Sequence, residues 1–333
     1  MDVTVEPLTH PDALSAEDQR AYAAVLNAAW SAWNPDHVPW TVAAALARAR
    51  VHAPPSVVRY LVARDPDGSL VGVGQLHWRD DAPGGCVARI FVAPSHRGRG
   101  IARAVGARLV EVGRRAGRTG VTAEVADRDA GLARVLERHG FRRDLPIELN
   151  AVSMTEIDGD LLRRWAARGE ATPGYSLVAY DAPAPEGLIE ALVAVRHVMN
   201  TAPLREGEPE EHYTVGELRA FEAAVAAAEQ DWWAVAARHD ATGELVGLSE
   251  LYLPRLEPHL ALQGDTGVHP DHRGRGLGAW MKAVNHLRLA TERPEVRVVH
   301  TWNAATNAPM LRINRDLGYR TVLTLRSWYR PLG

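Results

Sequence analysis

Val268 to Gly278 reads VHPDHRGRGLG, and nearly the same phrase, VAPSHRGRGIA, occupies Val92 to Ala102. Matching Arg97 to Arg273 sets the two copies 273 − 97 = 176 residues apart. In each copy an apolar run ends at the valine, a glycine-rich turn follows, and a helical pattern opens directly after it: ARAVGARLVEVGRRAG in the first, AWMKAVNHLRLATE in the second. Glycine at such a turn removes side chains that would hold an anion away from the backbone. The uncapped N–H groups of the first helical turn then face that anion, aided by the helix dipole. The phrase therefore predicts a strand–loop–helix cradle for phosphate. Gly274, Gly276 and Gly278 have the spacing for it, and Arg273 and Arg275 can add charge-assisted contacts. No Gly-Lys-Ser/Thr follows, which excludes a P-loop, and the position after a hairpin argues against a dinucleotide fingerprint.

The repetition extends on both sides. Tyr60–Trp78, YLVARDPDGSLVGVGQLHW, resembles Trp233–Leu253, WAVAARHDATGELVGLSELYL. Both read as two apolar strands around a polar turn, and Gly68 and Gly243 differ by 243 − 68 = 175. Beyond each cradle helix come a short strand (VTAEVA, VRVVHTW), another helix, and a stop at Gly140 or Gly318 followed by an aromatic residue. Such a period is too long for a solenoid and suits two copies of one mixed α/β domain. With 333 residues, two domains is also what length suggests. The expected organisation is an N-terminal copy over 1–154, closing its last strand near PIELNAVSM, a linker over 155–172, and a C-terminal copy over 173–333.

Composition narrows the class. A hydrophobic fraction of 46% with 24% charged residues is that of a soluble globular protein. The net charge of −3 argues against broad attraction to nucleic acid or to an anionic membrane. No apolar run reaches spanning length and the acidic start MDVTVEPLTHPD is unlike a signal peptide, so a cytoplasmic protein is expected, with no membrane or nucleic-acid partner. Cys86 is the one cysteine, which excludes an internal disulfide and a multi-cysteine zinc cage. Neither His212 nor His259 has a partner at metal-ligand spacing, and no metal is expected. Lys282 is the only lysine among 38 basic residues, which reads as the arginine bias of a GC-rich genome.

RGRGLG preceded by VHPDH resembles the Arg/Gln-x-x-Gly-x-Gly/Ala signature of the GNAT acyltransferase superfamily, and the resemblance covers both halves. It is similar in particular to tandem actinobacterial members, of which mycothiol synthase has this two-domain architecture. The resemblance implies, in each copy, a mostly antiparallel mixed sheet with splayed central parallel strands and flanking helices. It implies acetyl-coenzyme A as acyl donor, held at Val268, His269, Arg273, Gly274, Arg275, Gly276, Leu277 and Gly278, with Arg97, Gly98, Arg99 and Gly100 as a second candidate cradle. Family members place an Asn before the last helix, bonded to the pantetheine arm, and a Tyr seven residues later that protonates the departing thiolate. Here the first is Asn307, but the Tyr position holds Asn314; the first copy has Asp129 and Leu136. An ionised Asp cannot donate to a carbonyl, and Leu has no proton to give. The C-terminal copy is therefore expected to be catalytic and the N-terminal copy degenerate.

Acyl transfer to an amine needs a neutral amine, a polarised carbonyl and a proton for the sulfur. Backbone N–H near Val268 is the carbonyl-polarising group that the resemblance implies. Candidate bases are Asp265 and Glu250, where the first copy has Arg89 and Gln75; without a catalytic role they read as a loop-anchoring carboxylate and a solvent-facing edge residue. For the acid, Asn314, Tyr252 and water stand open. The expected function is an acetyl-coenzyme-A-dependent N-acyltransferase acting on a small-molecule amine, as a monomer or homodimer, with Asp265, Glu250 and Asn314 in the chemistry. The alternatives are a non-catalytic acyl-coenzyme-A binding or sensing protein and a protein N-acetyltransferase. Trp30, Trp33, Trp40, Trp232 and Trp233 read as core or interface residues before pocket residues, and Cys86 as a small buried group. The acidic stretch over 198–213 reads as a solvated charge run where the family has a substrate-covering segment.

Overall fold

The computed structural model describes residues 3–203, 210 and 212–333, and these divide into two compact units. The first takes the described residues up to Pro146 and adds Leu323–Gly333; the second takes those from Ile147 to Val322.

The first unit runs β1 (Thr4–Leu8), α1 (Ala16–Trp33), α2 (Val42–Ala49), β2 (Ser56–Arg64), β3 (Leu70–Arg79), β4 (Cys86–Val92), α3 (Ile101–Arg115), β5 (Gly120–Ala126) and α4 (Ala130–Arg138). Side-chain oxygens of Ser15, Thr41 and Asp129 accept backbone N–H groups at the starts of α1, α2 and α4, so each helix begins where a capping residue stands. Strands β1 to β4 are antiparallel neighbours, and β4 and β5 run parallel where Cys86–Ala88 face Val121–Ala123. Helix α3 sets Ile101, Val105 and Leu109 at four-residue spacing into a core with Leu61, Leu76 and Val121.

The order then recurs along the chain: β6 (Arg142–Ser153), which enters the second unit at Ile147, α5 (Gly159–Ala166), β7 (Tyr175–Asp181), α6 (Ile189–Arg196), α7 (Val215–Ala227), β8 (Gln230–His239), β9 (Leu245–Pro254), β10 (Leu260–Val268), α8 (Leu277–Glu292), β11 (Val298–Ala304), α9 (Ala308–Asp316) and β12 (Arg320–Pro331), which belongs to the first unit from Leu323 onward. Strands β7 to β10 are antiparallel, and β10 pairs parallel with β11 only from Leu260–Gln263 opposite Val298–Thr301. Past that point β10 shifts register against β9 between Gln263 and Thr266, and β10 and β11 separate. Both units are thus mostly antiparallel mixed sheets with one splayed parallel pair and flanking helices, as expected.

Two features differ from the sequence reading. The strand expected to close the first copy, β6, hydrogen-bonds antiparallel to β11 from Ile147 to Ser153, while Leu325–Pro331 of β12 pair with β5. Each sheet is closed by a strand from the other half of the sequence. Both strands follow a Gly-aromatic stop, so local pattern does not assign either to an edge. Residues 155–172 do not form a bare linker either. They contain α5, whose Leu162 and Trp165 are buried with Leu289, Val299 and Leu317. Leu161, Leu162 and Trp165 repeat at helical spacing, between charges that disguise the stretch as a connector. Among the described residues, no helix is long and apolar enough to cross a membrane.

Candidate functional site

The glycine phrase folds as a cradle. Gly274 and Gly276 have φ of 77° and 78°, a left-handed conformation that costs an L-residue about 1–2 kcal/mol. Gly276 is the N-cap of α8 without a side-chain cap, and no acidic residue stands in the first turn. Leu277 is buried, and a β-carbon on Gly278 would lie 3.6 Å from Ile313 and 3.8 Å from Val268, at ordinary contact distance. The two arginines spend part of their donor capacity bracing the loop. Arg273 Nε donates to the Val268 carbonyl at 2.9 Å and its guanidinium also donates to Thr201 Oγ1. Arg275 donates to the carbonyls of Asp271 (2.9 Å) and Arg273 (3.1 Å), and His269 Nδ1 accepts from the Asp271 N–H at 3.4 Å. A third arginine, absent from the sequence reading, reaches the turn: Arg168 Nη1 occupies the space that a β-carbon on Gly276 would enter. The first unit repeats the backbone, with Gly98 and Gly100 at φ of 76° and 83° and Arg97 Nε on the Val92 carbonyl at 3.3 Å.

Where β10 and β11 separate, a cavity of about 130 Å³ opens, lined among others by Asp265, Thr266, Lys282, Asn303, Asn307 and Met310. Asp265 is half-buried within the β10 irregularity. Asn307 caps α9, its Oδ1 accepting the Met310 N–H at 3.4 Å. Asp129 caps α4 in the same way at 3.0 Å, so this pair of residues shares a structural duty as well as differing in chemistry.

Lys282 is the residue that sequence reasoning missed. It is 1% exposed, with Nζ 2.5 Å from Asn314 Oδ1, 3.8 Å from Met310 Sδ and 5.3 Å from the centre of the Tyr319 ring. Burial alone drives its ammonium down to about 7. The signal was present: the sole lysine stands on the cradle helix among apolar neighbours Trp280, Met281 and Ala283, a placement composition does not explain.

Asn314 and Glu250 turn out differently from the expectation. Asn314 is 1% exposed and bridges Lys282 to Asn303, donating Nδ2 to Asn303 Oδ1 at 2.8 Å. Glu250 is fully buried on β9, between β8 and β10, and neither faces solvent at an edge nor lines the cavity. It forms an ion pair with buried Arg196, and Tyr252 donates its hydroxyl to Glu250 Oε2 at 3.4 Å. Burial raises the Glu250 carboxyl to about 7 against the pull of Arg196. The structure therefore brings Asp265, Asn307 and Lys282 around one space, with Asn314 bonded to Lys282 and Glu250 paired with Arg196 outside its lining.

The first unit has other chemistry at the corresponding place. Arg89 of β4 and Glu124 of β5 lie one residue past the last parallel pair, Ala88 and Ala123, and form an ion pair at 3.1 Å. It spans the strands at the level where the second unit opens. With the offset of 176, Asp265 corresponds to Arg89 and Lys282 to Gly106.

Other candidates settle into structural roles. Trp232 and Trp233 are buried, and Trp30 packs edge-on against Trp33 and Trp40 with ring centres 5.9 and 5.7 Å apart. Cys86 is buried, which pushes its thiol up to about 12. His212 lies beside His197, ring centres 5.4 Å apart, and among the described residues no three His, Cys, Asp or Glu side chains are placed to hold a metal ion. Much of the acidic stretch, residues 204–209 and 211, lies outside the described residues.

Comparison with known proteins agrees with the two-copy reading. No curated protein matches the chain in sequence. Among solved structures, a tandem GNAT protein from the clavulanic acid biosynthesis pathway, determined without AcCoA, is 26% identical with a TM-score of 0.79, covering 100% of this chain and 99% of that one. A GCN5-related N-acetyltransferase from Sphaerobacter thermophilus shares the fold at 16% identity and a TM-score of 0.67, over 99% and 96% of the two chains. The model of the acetyltransferase (GNAT) family matches twice, over residues 22–141 and 195–319, and the chain, a tandem protein, belongs to that family.

Proposed function

We propose that the chain is an acetyl-coenzyme-A-dependent N-acyltransferase that acts on the amine of a small molecule, with its chemistry in the second unit. The observation that carries this reading is the cavity at the β10–β11 splay, lined by Asp265, Asn307 and Lys282. The first unit has an ion pair across the same level.

The cradle suits a pyrophosphate: an uncapped helix start, two left-handed glycines, and Arg168 above the turn. Backbone N–H groups of Leu277 to Ala279 would hold it, and Asn307 would hold the pantetheine arm. Coenzyme A supplies an activated acyl carbon when bound. Asp265 accepts the proton that the acceptor nitrogen must lose, directly or through water. The carboxylate also suits an acceptor that arrives as an ammonium ion. Glu250 contributes by pairing with Arg196, and Asp265 is the carboxylate among the described residues that line the cavity.

Release of free thiol in the presence of a panel of small amines tests the reading. Asp265→Asn is expected to lower kcat about 100-fold or more, with the KM for acetyl-coenzyme A nearly unchanged. Unchanged turnover would remove Asp265 from the chemistry. The missing hydroxyl at position 314 favours a second reading, a non-catalytic acyl-coenzyme-A binder. Binding without thiol release across small amines and peptides would establish that one instead.

A further inference from the structure

Acyl transfer from a thioester leaves a sulfur that needs a proton. Asn314 is a neutral amide with none to spare at physiological pH. Tyr252 donates its hydroxyl to Glu250, and burial pushes its phenol well above the usual range. Among the described residues lining the cavity, Asp265 and Lys282 are the ionisable ones, and Asp265 is needed as the acceptor. We propose that Lys282 donates the proton to the coenzyme A sulfur as the acyl carbon–sulfur bond breaks. This rests on the reading that the second unit binds acetyl-coenzyme A.

The exchange balances without another reactant. The acceptor nitrogen bonds to the acyl carbon, and the carbon–sulfur pair goes to sulfur. A proton passes from Lys282 Nζ to that sulfur. The proton lost by the acceptor nitrogen goes to Asp265 and returns through water to Lys282, so both side chains end as they began.

The position supports the role. Lys282 stands 282 − 276 = 6 residues beyond Gly276, about 9 Å along α8 at 1.5 Å per residue, so one helix carries both the cradle and the donor. Asn314 Oδ1 aims the ammonium from α9, with Met310 beside it. The titratable groups around it leave its charge uncompensated. His286 on the same helix is driven down to about 3, and it bonds the hydroxyl of Tyr319, whose phenol is pushed up, so both are neutral near pH 7. Asp265 lines the same cavity, and burial is what shifts Lys282. A buried ammonium without a close carboxylate gives up its proton readily. Arginine could not do so. Of the 38 basic residues, 37 are arginine, and the exception stands at the one place where a releasable proton is required.

Being the sole lysine also makes it directly observable. A chain grown with lysine labelled at Cε and Nζ gives a single side-chain signal, which can be followed in the unaltered protein. The expected result is a titration midpoint near 7 that moves upward when CoASH is added. Lys282→Arg, which keeps the charge, and Lys282→Met, which keeps the volume, are each expected to bind CoASH within about threefold of wild type. Both should lose about 100-fold or more in kcat, and the limb of the wild-type kcat–pH profile near 7 should vanish. CoASH binding with an unmoved lysine signal, or full turnover by Lys282→Arg, would overturn the proposal while leaving the site assignment standing. No CoASH binding would overturn the site assignment, and the proposal with it.

Discussion

Lys282 shares a cavity with Asp265 but is itself buried, and the stability of the protein should record that burial. Lys282 is held at about 7 in the folded chain against 10.5 for an exposed lysine. Between those values the unfolded chain binds a proton that the folded chain does not, so stability rises as pH increases through that window. Lys282→Met removes the buried charge. Its gain in urea midpoint over wild type should therefore be larger at pH 6 than at pH 9.5; equal gains would show that the ammonium is not buried at a cost. The Glu250–Arg196 pair behaves as a unit. Glu250→Ala strands a buried guanidinium and should cost about 3–5 kcal/mol in urea unfolding, and Arg196→Met with Glu250→Met together should cost less. A loss below about 1 kcal/mol for the single change would contradict the pair's structural role.

Among the elements, the cradle was legible in the sequence because its causes are local. Glycine spacing, the end of an apolar run and a helical pattern all fall within eleven residues, and the φ values of Gly274 and Gly276 follow from them. Asp265 and Asn307, which the structure brings to one cavity, also lie close to a recognisable turn or helix start. Helix α5 was not, because its apolar stripe is short and its value depends on packing against α8. That packing places Arg168 over Gly276. Arg168→Ala should weaken CoASH binding about tenfold, as loss of a charge-assisted bond does, and the difference should shrink at high salt without a change in unfolding midpoint. Equal affinity in titration calorimetry would leave the anion to the backbone alone.

For the whole molecule, the duplication could be read from two matching offsets, but the exchange of closing strands could not. Strand partners are set by which edge a strand meets, and β6 and β12 follow the same motif. A fragment ending at residue 154 would keep β6 and lack β12, so it would carry an unpaired β5 edge. It is expected to fail to unfold cooperatively in urea, even though the sequence pattern marks it as a domain; a sharp two-state transition would contradict the exchange. The proposed division of function between the copies rests on features that are also only partly visible in sequence. Both keep the cradle, and what separates them is the ground beyond it: an open cavity with Asp265 and Lys282 in one, Arg89 on Glu124 in the other. The most direct test of that division is calorimetric titration of the whole chain with CoASH, repeated for Gly276→Ala and Gly100→Ala, which put an L-residue at matching left-handed positions of the two cradles, the first also displacing Arg168. One site per chain is expected, weakened at least tenfold by Gly276→Ala and untouched by Gly100→Ala. Two equivalent sites, or a site lost only with Gly100→Ala, would contradict the assignment of chemistry to the second unit.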